Sequence, residues 1–203
     1  MLQNRIDPFG NLIKTRARGA WMGNRGLLHN HEQQIVRPYK LKAWITCLLQ
    51  FKERKRQVMA PDKYTELFFL DEATAFAAGH RPCAECRRKD FDRFKAAWLK
   101  GNPQYGFKPS VSIQLIDEIL HAERISHGAK VTYEAALEEL TDGCFIVWQQ
   151  QPFLIIKNEM YLWTPGGYGQ KQPLPQADIF TVLTPKSIVQ AFKQGYEPQI
   201  AFA

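Results

Sequence analysis

Apolar residues recur along this chain with two different periods. Between residues 43 and 51, AWITCLLQF is an apolar run of strand length, and TELFFL at 65–70 is a second. The run KERKRQ between them reads as a strand end or turn. Asp71 then stands where a helix N-cap belongs, ahead of EATAFAA, and Gly79 follows as a stop. From Lys89 to Lys100 the period changes. Phe91, Phe94 and Trp98 recur at helical spacing and predict a helix with one buried face. VSIQLIDEILHAERI predicts another, with Leu115, Ile116, Ile119 and Leu120 as its stripe.

After residue 143 the pattern shortens. CFIVWQQ, PFLIIKN, MYLWTP and IFTVLT are brief apolar or alternating runs parted by polar turns, as in a meander. GGYGQKQPLPQ reads as a loop, and WTPGGYGQ as a hairpin loop whose rings can also stack on a base. Pro185 opens a last helix, KSIVQAFKQ, closed by Gly195. Residues 1–34 show no period and read as an arm or loop with one short strand. Gly19, Gly23 and Gly26 lie there among Arg16, Arg18 and Arg25, a composition that can cradle phosphate. GNPQYGFKP at 101–109 reads as a linker. The fold expected is α+β: a basic module over residues 1–104 packed on a helix plus β-meander domain over 105–203.

Composition sharpens this picture. The 203 residues are 45% hydrophobic and 12% aromatic, enough for a packed core. No apolar run has the roughly 20 residues of a membrane span, and no leader pattern opens the chain, so a soluble cytoplasmic protein is expected. Charge is unevenly placed. Residues 1–100 carry 20 basic and 10 acidic side chains, whereas residues 101–203 carry 7 and 10. The first part is therefore expected to meet an anion, nucleic acid first (DNA before RNA) and a phosphorylated small molecule second.

Chemistry gathers at RPCAEC. Cys83 and Cys86 have the spacing of a zinc turn. Cys47 and Cys144 sit among apolar neighbours and read first as small core residues. Zinc accepts imidazole as readily as thiolate, so Cys47, His29, His31 and His80 are the candidates to complete the site. A metal-free pair beside a basic side chain would instead be redox-reactive.

The segment around this turn resembles the N-terminal metal-binding domain of the Ada DNA-repair methyltransferase. The shared residues are Phe68-Phe69, Glu72-Ala73 and Ala78-Gly79-x-Arg81-Pro82-Cys83-x-x-Cys86, about 40 positions in all. The wider chain also resembles a bacterial family, which implies no function. The Ada resemblance implies a strand–helix–turn shape and two zinc ligands. In that domain the other two ligands come from Cys-x-x-x-Cys about 30 residues upstream. Laid without gaps, those positions fall near Lys52 and Arg56, so no methyl transfer is implied.

Two functions follow as expectations. In the first, Lys52, Arg54, Lys55 and Arg56 before the turn, with Arg81, Arg87 and Arg88 at it, form one face. That face tracks a nucleic-acid backbone with little sequence preference, in a role associated with DNA repair. In the second, an enzyme acts on a nucleotide or other phosphorylated small molecule between the two halves, using Arg25, His29, Arg81, Asp117, His121 and Arg124. Asp117, His121 and Arg124 share one helix face and form its candidate acid/base group.

Overall fold

The computed structural model describes residues 1–53 and 57–202. The fold is α+β. Six short strands make the first sheet: β1 Gln3–Ile6, β2 Leu12–Lys14, β3 Trp21–Asn24, β4 Ile45–Cys47, β5 Leu67–Phe69 and β6 Arg81–Pro82. Their spatial order is β2-β1-β5-β3-β4-β6. β1 with β5 and β4 with β6 run parallel, and the other pairs antiparallel. The N-terminal stretch read as an arm supplies three of these strands. Each has only three or four residues, too few for a period to show, and pairing rather than local pattern fixes them.

Asp71 caps α1 Glu72–Ala77, its Oδ1 accepting the Thr74 N–H at 2.8 Å. Gly79 ends that turn at φ +82°, and a Cβ there would stand 2.4 Å from Cδ of Arg124. Glycine is needed both for the left-handed backbone and for this approach. α2 Arg88–Gly101 buries Phe91, Phe94 and Trp98, the face its spacing predicts.

The stretch read as a linker is packed. Asn102 Nδ2 donates to the carbonyls of Trp98 and Ser187, at 2.8 and 3.0 Å. Tyr105 and Phe107 stack on Trp98. α3 Ile113–Arg124 buries Ile116 and Leu120 against the same cluster, while Leu115 stays exposed. One core joins Phe76, Phe94 and Trp98 to Ile188 and Phe192, and the boundary expected near residue 104 falls inside it.

Beyond a small hairpin, β7 Ile125–Ser126 and β8 Ala129–Lys130, comes the second sheet. It contains β9 Tyr133–Ala135, β10 Phe145–Trp148, β11 Gln151–Ile156, β12 Glu159–Thr164, β13 Gly167–Pro173 and β14 Phe180–Val182. It is antiparallel throughout, in the order β13-β12-β11-β10-β14-β9. The expected meander is β10 to β12. The expected loop at 166–176 is mostly the edge strand β13, whose exposed Gly, Gln and Lys residues show no apolar alternation. α4 Lys186–Lys193 closes the shared core. Among the described residues no helix is long and apolar enough to cross a membrane.

Candidate metal centre

Strand register builds the centre. In the parallel pair β4/β6, Ile45 faces Arg81 and Thr46 faces Pro82. The residues that follow, Cys47 and Cys83, therefore leave the sheet side by side, and the Cys83 N–H donates to Thr46 O at 2.9 Å. A tight turn, closed by the Arg87 N–H on Cys83 O at 3.2 Å, carries Cys86 back toward them. The three Sγ atoms lie within 4.8 Å of one another, and no other Cys, His, Asp or Glu joins them among the described residues. Cys47 is thus a member of the group, not a core filler. Cys144 is the core filler: it is fully buried, and burial pushes its thiol up to about 12.

The turn is wired for thiolate. The Glu85 N–H donates to Cys83 Sγ at 3.4 Å, and the Leu48 N–H faces Cys86. The hydrogen bond from Cys47 acts most strongly on Cys83. Together with the N–H groups of Cys86 and Glu85 it outweighs burial and holds that thiol down to about 5. Cys47 is pushed up by the same bond and by burial, and Cys86 by burial first. One thiolate therefore forms readily, and the other two resist ionising beside it. A cation among the three sulfurs removes that conflict, so this donor set can hold a metal ion.

All three cysteines line a cleft of about 230 Å³. Its floor is one face of the first sheet. Met22 pairs with both Cys47 and Phe68, and Asn24 pairs with Ile45. Side chains two apart on a strand share a face, which places Met22, Asn24, Ile45, Cys47 and Phe68 together, with Glu66 beside them. Leu48, Leu49, Phe51, Val58 and Tyr64 complete its lining. Glu66 is buried; its Oε2 accepts the Met59 N–H at 2.8 Å, and it makes no ion pair among the described residues. Asn24, Tyr64 and Glu66 did not stand out in the sequence. The usable signal is the alternation Met22/Asn24, Ile45/Cys47 and Glu66/Phe68, which becomes a site only once the strand order is known.

The histidines stand apart. His29 Nδ1 lies 2.7 Å from the Thr65 hydroxyl and Nε2 3.2 Å from the Ala60 carbonyl. Of the two neutral tautomers, only the one protonated at Nε2 satisfies both. His31 is exposed beside Asp62. His80 is fully buried against Trp44 and Phe69, and its Nε2 accepts from Arg25 Nε at 3.2 Å. None of the three joins the sulfur group.

The residues assigned to a site between the halves are committed to internal partners. Arg81 is buried and grips Asp117 with two bonds, Nε–Oδ1 2.7 Å and Nη2–Oδ2 2.6 Å. Asp117 is thereby turned away from His121, whose Nδ1 lies 3.1 Å from Arg124 Nη2. The guanidiniums of Arg124 and Arg25 lie over Trp44, at 4.1 and 3.8 Å. Arg124 also donates to the carbonyls of Gly79 and Lys42.

The basic face is likewise reduced. Arg87 is buried, paired with Glu72 and Asp90, and lies over Trp21. Arg81 and Arg87 are therefore not available to a phosphate. Arg88 and Lys52 remain exposed. Arg54, Lys55 and Arg56 lie outside the described residues. Comparison with models of protein families, with curated proteins and with solved structures finds no match to this chain.

Proposed function

We propose that this protein is a zinc enzyme acting on a nucleotide or on a base of a nucleic-acid strand. One observation carries the reading: three thiols converge on the wall of a half-enclosed cleft, and no fourth protein ligand accompanies them among the described residues. Structural zinc sites are closed by four protein ligands, whereas catalytic ones keep a position open. Cys47, Cys83 and Cys86 would hold the ion. Zinc bound there supplies a Lewis-acidic position facing the cleft. Glu66 offers a carboxylate in the same cleft, where a proton can be accepted or returned. The anionic character of the substrate rests on the basic first half and on exposed Lys52, next to the cleft residue Phe51.

Metal content and cobalt exchange test this. Protein purified without chelator is expected to carry one zinc per chain. Cobalt in its place is expected to show thiolate charge-transfer absorption, with visible bands that change on adding imidazole or 2-mercaptoethanol because the fourth position is open. A metal-free protein that melts cooperatively, or cobalt bands indifferent to both ligands, would overturn the reading.

A second reading, nucleic-acid binding without turnover, is favoured by the excess of ten basic over acidic residues in positions 1–100. With Arg81 and Arg87 buried, the contacts available are few. Duplex affinity should then fall with log salt at a slope near −0.9 for each phosphate neutralised. Fluorescence anisotropy at several salt concentrations measures that slope, and no binding at low salt eliminates this reading.

A further inference from the structure

Resting on the metal-centre reading above, we infer that the cleft takes an amino-bearing planar ring, as on a cytosine or adenine base, and holds its amino group on the carboxylate of Glu66. The register places this group. Leu67 pairs with Gly23, so Glu66, the residue just before β5, stands next to Asn24 of β3. Asn24 pairs with Ile45, two residues before Cys47. Two residues of strand are about 6.6 Å. β5 and β4 flank β3, so with two inter-strand spacings added the polar end of the cleft and its sulfur end are about 12 Å apart at the backbone, and side chains reach into that gap from both ends.

Glu66 is 5% exposed, has no cationic partner among the described residues, and gives only Oε2 to the Met59 N–H. A buried carboxylate in that position calls for further donors. Asn24 Oδ1 accepts the Gly26 N–H at 2.7 Å, which leaves its amide N–H₂ for a ring acceptor. The cleft thus sets one side-chain amide donor beside the carboxylate of Glu66. A ring with an exocyclic amino group brings two N–H donors and an adjacent ring nitrogen, and carboxylates pair with such amino groups on bases. The Glu66 carboxylate and the cysteine thiolates repel a phosphate. At about 230 Å³ the cleft is smaller than the roughly 300–1,000 Å³ of sites that enclose a drug-sized ligand. Only the ring enters, and sugar and phosphate stay outside on the side of Lys52.

The test uses zinc-loaded full-length protein and calorimetric titration with the monophosphates of cytidine, adenosine, uridine and inosine. The amino-bearing pair is expected to bind at least tenfold tighter than the pair lacking the amino group. Glu66→Gln keeps an acceptor for the Met59 N–H and is expected to lose at least tenfold for the amino-bearing nucleotides while retaining one zinc per chain. Equal binding of all four, preference for uridine or inosine, or no binding by protein whose cobalt form responds to added thiol, each overturns this inference and leaves the metal centre standing. A chain that holds no metal removes the metal-centre reading itself, before the nucleotides are compared.

Discussion

Two polar regions adjoin the first sheet, and they differ in where their groups are directed. Around Trp44 the polar side chains Arg25, His80, Arg81, Asp117 and Arg124 bond mainly to one another and to carbonyls. In the cleft the cysteines converge at one end and Glu66 stands at the other, without an ion pair among the described residues. The first set carries the residue types of an acid/base site, yet it works as internal scaffolding. The first set still leaves Arg25 Nη2, His80 Nδ1 and Arg124 Nε without a partner among the described residues, but sealed inside the core, whereas the second set faces a cleft. Candidate chemistry is better judged by whether a group's spare bonding capacity opens on a cleft than by its residue type.

Substitutions can break that comparison. The largest effect is expected at Asp117→Ala, which leaves Arg81 buried without its partner and should cost about 3–5 kcal/mol in chemical denaturation. A loss below about 1 kcal/mol would mean the pair is not the closed scaffold described here. Next comes metal loss. Cys83→Ser, or chelation of the wild type, should lower stability on the order of 3 kcal/mol when zinc stands near a hundredfold above its Kd. Calorimetry with and without chelator checks it.

A smaller, pH-dependent effect is expected at Lys130. Its Nζ donates to Ala77 O at 2.5 Å, and burial, then Arg25 and Arg124, pull its pKa down to about 7. The unfolded value is about 10.4. Below pH 7 both states hold the proton and the burial penalty is complete. Between about 7 and 10.4 the unfolded chain holds more protons, so stability rises with pH. Lys130→Met should therefore melt above the wild type by most at pH 6 and by less at pH 9. A gap constant with pH would contradict the assignment. The smallest effect on stability belongs to Glu66→Gln, under about 1 kcal/mol, because the amide oxygen still accepts the Met59 N–H. A large loss there would place Glu66 with the scaffold rather than the cleft.

Elements that carry their own signal were legible. The face of α2, the Asp71 cap and the meander β10 to β12 are local patterns, and the structure repeats them. The Cys83–Cys86 turn was legible for the same reason. Cys47 as its partner was one option among several, because the β4/β6 register joins segments far apart in sequence. A gapless reading of the Ada pattern led to Lys52 and Arg56 instead. Asp117, His121 and Arg124 do share a helix face. That face turns inward, because Arg81 and Trp44 arrive from another part of the chain to cover it. Only one short strand was expected where β1 to β3 lie, and β13 was read as a loop, because short strands and a polar edge strand have no periodicity to read.

The pairing of β4 with β6 also has a meaning in polymer terms. Cys47 and Cys83 are 36 residues apart, so an ion shared between them is a cross-link that closes a loop of that length. Fixing such a loop in a disordered chain costs about 3–5 kcal/mol of entropy by the cross-link model. An unfolded chain offers an ion only the local pair Cys83 and Cys86, with the third sulfur distant. Full affinity appears once the sheet has brought Cys47 alongside. The ion would then be captured late in folding and released early in unfolding, and its uptake by a refolding chain would time the moment at which β4 and β6 meet.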